Sequence, residues 1–105
     1  MGKIEDFDSF NVIKRVDGAN NNHDVQLITI STCIWCKKLK NLLVENNIAY
    51  DYIDIDTLPF GEKERLKKIL YTHTEYLGFP MCFINGELIK GYKETQIMNK
   101  LKGGS

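Results

Sequence analysis

Cys33-Ile34-Trp35-Cys36 is the segment of this 105-residue chain whose residue types and spacing can do chemistry. Two cysteines so spaced in an intracellular protein have two main uses, thiol–disulfide exchange and metal binding. The third cysteine, Cys82, lies far along the chain, and an odd count argues against a secreted framework stapled by disulfides. Position separates the two uses. Before the pair, Val25-Gln26-Leu27-Ile28-Thr29-Ile30 is β-branched and mostly apolar, as in a strand buried on both faces. After it, Leu39, Leu42, Leu43 and Asn46 fall at helical spacings. Cys33 is therefore expected between a strand and a helix, near the unpaired N–H groups of the first turn. The positive end of the helix dipole favours a thiolate there. Cys36 follows about one turn later on the same helix face. It is expected to be less exposed and more protonated. Attack by Cys33 on a disulfide would give a mixed disulfide, which Cys36 would resolve. Lys37 and Lys38 are expected to stabilise the thiolate by charge.

The elements that must hold this pair can be read outward from it. Residues 1–11 lack a period and are expected to run over the surface. Val12–Val16 reads as a short edge strand, forming a hairpin with the Val25–Ile30 strand around Asn20-Asn21-Asn22. Ser31 and Thr32 offer cap chemistry before the helix, and Asn46-Asn47 ends it. Ala49–Asp56 alternates with period two and reads as a strand. Pro59 suits a first helical turn, and Leu66, Ile69 and Leu70 mark one face of the helix that follows. His73–Gly78 reads as a loop. Phe79-Pro80 leads into Met81–Ile84, and Asn85-Gly86 joins this run to Glu87–Lys90 as a two-residue hairpin. Gly91 breaks the second strand, and Ile97, Met98 and Leu101 mark a last helix. A strand–helix–strand unit followed by a hairpin predicts an α/β fold, a mixed sheet of four or five strands with helices on both faces. The expected layout is an extension over 1–24, one domain over 25–102 and a flexible tail over 103–105.

Composition narrows the function classes. Hydrophobic residues make up 43% and charged residues 27%, a globular balance. Fourteen basic residues face fourteen acidic ones, so the basic excess of a nucleic-acid binder is missing. No apolar run reaches the roughly 20 residues that span a bilayer. The polar start, Met1–Asp8, does not read as a secretory signal. The expectation is a soluble cytoplasmic protein that engages neither nucleic acid nor membrane. Phe79-Pro80 adds a functional signal. Proline is the residue for which a cis peptide is cheap, and a cis bond here would present a free backbone edge to an extended substrate.

These residues resemble the glutaredoxin branch of the thioredoxin superfamily. The resemblance covers residues 25–101. It rests on Thr32-Cys33-Ile34-Trp35-Cys36-Lys37-Lys38, on Gly78-Phe79-Pro80-Met81-Cys82-Phe83-Ile84-Asn85-Gly86, and on Ile89-Lys90-Gly91. It implies a thioredoxin fold, a Cys33 nucleophile, a Cys36 resolver and a cis Pro80. The expected substrate contacts are Trp35, Phe79, Pro80, Met81, Gly91 and Tyr92. No bound cofactor is expected, because the Cys33/Cys36 pair, a redox-active disulfide when oxidised, itself carries the electrons. The chain departs from glutathione-dependent members of the family in three places. Ile30 stands where a lysine usually precedes the first cysteine. Lys93 stands where an aspartate helps bind the glutathione amine. Ile34 replaces the usual proline. The resemblance therefore points to a monomer that takes electrons from a reductase protein and passes them to disulfide-containing proteins.

Other readings compete with this one. The alternatives in function are a glutathione-dependent glutaredoxin, a metal or iron–sulfur module, and an interaction domain whose cysteine pair is incidental. A Cys33/Cys36/Cys82/His73 set would satisfy zinc by ligand count. Cys82 reads more simply as a small buried hydrophobe. His23 and His73 read as surface-loop residues. Trp35, inside the cysteine motif, is expected to be exposed and to meet partner proteins.

Overall fold

The computed structural model describes residues 7–10 and 13–103. Five strands form one sheet: β1 (Lys14–Val16), β2 (Val25–Thr29), β3 (Tyr50–Asp54), β4 (Met81–Ile84) and β5 (Glu87–Lys90). Their order across the sheet is β1-β3-β2-β4-β5. Only β2 and β3 run parallel, and helix α1 (Ile34–Glu45) makes the crossover between them. Helices α2 (Phe60–Leu70) and α3 (Glu94–Gly103) follow β3 and β5. This is the expected mixed α/β architecture. No helix among the described residues is long and apolar enough to cross a membrane.

Period-two alternation along the central strands divides the core between two faces. Val25 and Leu27 of β2, with Cys82 and Ile84 of β4, pack against Leu39, Leu42 and Leu43 of α1 and Ile97 and Leu101 of α3. Ile28, Met81 and Phe83 point the other way, toward Leu66 and Leu70 of α2. Residues β-branched and apolar on both sides of one strand thus serve two helical layers. Asn85 and Gly86 turn the β4–β5 hairpin with φ of 52° and 90°, the left-handed values that asparagine and glycine tolerate. Asn47, at φ 58°, ends α1 in the same way.

Four expectations need correcting. The β1–β2 hairpin does not form; β1 pairs antiparallel with β3, Lys14 opposite Tyr52 and Val16 opposite Tyr50. The connecting segment is occupied instead by the end of α1. Asn20 exchanges backbone hydrogen bonds with Asn47 and Ala49, at 2.8 and 2.9 Å. A Cβ on Gly18 would lie 2.6 Å from the Asn47 carbonyl oxygen, so only glycine allows this approach. The amino-terminal stretch does not run wholly over the surface. Phe7 and Phe10 are buried in the α2-side core, at 1% and 2% exposure. Ser31 and Thr32 do not cap α1; Ser31 donates from its N–H and hydroxyl to the Asp56 carboxylate. Gly103 belongs to α3 rather than to a tail. The rest of the expected tail, 104–105, and the expected strand residues 11 and 12 lie outside the described residues.

Candidate active site

Thr29 ends β2, and Cys33 is the N-cap of α1 with extended φ and ψ of −80° and 120°. An N-cap side chain normally offers an oxygen to the first-turn N–H groups. Here sulfur takes that place: the Cys36 N–H donates to Cys33 Sγ at 3.3 Å. Cys33 is half-buried, and Cys36, one turn on, is fully buried.

The two thiols are electrically unlike. Partial burial raises the Cys33 pKa, but opposing contacts outweigh it. The Cys36 thiol and the backbone N–H groups of Cys36 and Trp35 bond its sulfur, and Lys40 attracts the anion, so the net pKa is lowered. Burial pushes Cys36 the other way, to about 12, and its hydrogen bond to Cys33 adds to the rise. At neutral pH the pair therefore holds an activated sulfur above and a protonated one beneath. The Lys40 charge favours the Cys33 anion; Lys40 is not among the expected thiolate-stabilising cations, Lys37 and Lys38. Lys38 lies over the Trp35 ring, 4.7 Å from its centroid, and Lys37 is exposed.

The β2–β4 register carries the second expected segment to the same place. Ile28 opposite Met81 puts Pro80 at the end of β2 from which the chain leaves for Cys33. The Phe79–Pro80 peptide is cis, and the Pro80 carbonyl accepts from the Gly91 N–H at 2.7 Å. Gly91 has φ +90°, a conformation suited to glycine. Tyr92 then stacks obliquely on Trp35, with ring centroids 5.7 Å apart. Ile34 and Trp35 are exposed beside Cys33. Of the expected contact residues, Pro80 and Met81 are buried and Phe79 is half-buried. Met81 is fully buried and paired with strands on both sides, and Phe79 packs against the α2-side core.

Cys82 is fully buried in the layer under α1 and α3. His73 sets its ring edge against Phe83, which faces the α2 side of the sheet. The four-ligand zinc set is thus not brought together. Among the described residues, no group of three or more His, Cys, Asp and Glu is arranged to hold a metal ion. His23 is structural: its Nε2 meets the Leu101 carbonyl at 3.0 Å, and its Nδ1 meets the Asn85 amide nitrogen at 2.9 Å.

Burial also fixes the alkaline behaviour of the reduced protein. It pushes Cys82, like Cys36, from the ordinary thiol value of 9.0 to about 12. Tyr50 rises from 10.0 to about 12 for the same reason. Each folded value lies above the unfolded one, so each contribution is whole below the unfolded value and is lost as pH rises through the folded one. Cys33, with its lowered value, acts in the opposite sense toward lower pH. The reduced protein is expected to lose stability steadily above pH 9. Urea midpoints at pH 8 and pH 11 check this, and Cys82→Ala should make the loss shallower. Equal midpoints would contradict it.

Comparisons with known proteins bear on the same residues. A glutaredoxin family model matches residues 25–89. The solved glutaredoxin of Methanosarcina mazei is 32% identical with a TM-score of 0.76, covering 87% of this chain and 88% of that one. Methanoredoxin of Methanosarcina acetivorans is 32% identical with a TM-score of 0.74, covering 80% and 88%. Mitochondrial glutaredoxin-2 of Bos taurus is 25% identical over 88 residues, 84% of this chain and 55% of that protein. The chain thus spans about half the length of the mitochondrial relatives it matches.

Proposed function

Because the chain belongs to the glutaredoxin family, we propose that it is a dithiol oxidoreductase that reduces protein disulfides through Cys33 and Cys36. One observation carries this reading: the Cys33 sulfur is the N-cap acceptor of α1, with the protonated Cys36 thiol directly beneath it. The Cys33 thiolate attacks one sulfur of a partner's disulfide. A Cys33–partner bond forms, the partner's own S–S bond breaks, and its departing sulfur takes up a proton. Cys36 then gives up its proton and attacks Cys33. The Cys33–Cys36 disulfide forms, and the partner leaves with both sulfurs reduced. Two electrons have moved, and no bound cofactor takes part. The exposed Ile34 and Trp35, with the half-buried Tyr92 stacked on Trp35, supply an apolar and aromatic rim for a protein partner. Pro80 and Gly91 shape the backbone beside it. The proposed site lies within one chain, which suits action as a monomer. A reducing compartment such as the cytoplasm suits the free thiols.

Electrons return to the pair from a reductase protein rather than from glutathione. Ile30 offers no cation before Cys33, and the exposed Lys93 presents the wrong charge to the glutathione ammonium. A reduction assay on a protein disulfide should turn over with a thioredoxin-reductase or ferredoxin-linked reductase system. Glutathione at physiological ratios should support little turnover. Full activity with glutathione alone would reverse this assignment.

A further inference from the structure

Lys40 lies one helical turn beyond Cys36, on the side of α1 that faces β3. Its ammonium is 3.3 Å from Asp54 Oδ1 and 3.9 Å from the centroid of the Tyr52 ring. The same carboxylate oxygen accepts the Thr29 hydroxyl at 2.6 Å. The Lys40 and Asp54 side chains keep only 20% and 10% of their exposure, and Thr29 is fully buried. Charges so poorly hydrated have to be paired where they stand. Thr29 is the last residue of β2, opposite Asp54 in the parallel register. Each of the three elements around the cysteine pair thus contributes one member of this cluster. An exposed helical lysine samples many rotamers and acts weakly on its neighbours. Lys40 is instead clamped between a carboxylate and an aromatic face. Within α1, Cys36 bonds the Cys33 sulfur and the Lys40 charge favours its anion; Lys40 itself contacts Asp54 and Tyr52 of β3.

We propose that Asp54, held by Thr29, is a positioning residue for the dithiol, fixing the Lys40 ammonium so that its charge acts steadily on Cys33. This rests on Cys33 being the nucleophile. The idea makes a prediction opposite in sign to simple charge counting. Deleting Asp54 removes a negative charge, which by itself would favour the Cys33 thiolate and quicken its reactions. If Asp54 holds Lys40 in place, deleting it releases the cation and slows them.

The test is the rate of Cys33 alkylation by iodoacetamide against pH in the fully reduced chain, with mass spectrometry locating the adduct. Lys40→Met should slow alkylation below neutral pH by about three- to tenfold, the range for one nearby charge partly screened by water. Asp54→Ala should slow it in the same direction, and adding it to Lys40→Met should change nothing further. Lys40→Arg should keep the parent profile. Thr29→Val alters no charge; it removes the hydroxyl from Asp54 and from its longer contact with the Ile53 carbonyl, and should slow the rate through the released clamp. Faster alkylation in Asp54→Ala, or a parent profile in Thr29→Val, overturns the proposal. Where Asp54→Ala does not fold, Thr29→Val decides alone. A parent Cys33 no more reactive than an ordinary thiol would instead overturn the nucleophile assignment, a separate result read before any variant.

Discussion

Cys33→Ser is expected to lower disulfide reduction by at least about 10³-fold, because a hydroxyl at the α1 N-cap gives up its proton far less readily than the thiol, whose pKa is lowered there. The companion variant gives the sharper result. Cys36→Ser keeps the activated sulfur and the N–H bond to it, since that bond comes from the backbone. It loses the group that closes the reaction. Attack still occurs, the Cys33–partner bond persists, and a covalent complex accumulates that a non-reducing gel and intact-mass measurement will show. Reduction by added small thiols should release it. A Cys36→Ser protein that cleared protein disulfides at the parent rate would sink the two-cysteine mechanism. The outcome depends on where each sulfur sits. Cys33 is accessible to a partner and Cys36 is not, so only one of them can open the exchange.

Phe7→Ala is expected to cost about 3–5 kcal/mol, the range for emptying an aromatic site in a packed core. Phe7 is 1% exposed and packs in the cluster that includes Ile28, Phe83 and Leu66. For a domain of this size the melting temperature should fall by on the order of 15 °C or more. Urea unfolding followed by circular dichroism would read the loss directly. A change below about 0.5 kcal/mol, as for an ordinary surface site, would show that the amino-terminal aromatics do not hold the α2 side together. The dithiol chemistry should survive the change at low temperature, because Cys33 and Cys36 are built on the opposite, α1 side of the sheet.

The site was far more legible in the sequence than its supports. Cys33 and Cys36 could be placed because a continuous β-branched run and a helical leucine spacing meet between them. Both signals are local. Asn85-Gly86 was equally readable, since left-handed backbone selects those residues. The partner of β1 was not. Periodicity marks a strand but says nothing about which neighbour it joins, and the deciding contacts, Gly18 against Asn47 and Asn20 against Ala49, are between distant segments. Phe7 and Phe10 stand among acidic and polar residues without a period, so composition hid their burial. Lys37 and Lys38 looked like the influential cations because they follow Cys36 directly. On a helix they turn away from the sheet, whereas Lys40 returns to it and finds Asp54 on β3. Ser31 showed the same limit: its natural use before a helix gave way to Asp56, a carboxylate distant in sequence.

The fully buried Cys82 has a consequence for anyone counting sulfurs in this protein. Sealed beneath two helices, it is out of reach of any reagent while the fold stays shut, and it cannot join in scrambling with the surface pair. Its labelling therefore keeps time for the whole-molecule opening of the chain. The protein carries its own unfolding clock, silent during turnover and audible only when the core comes apart.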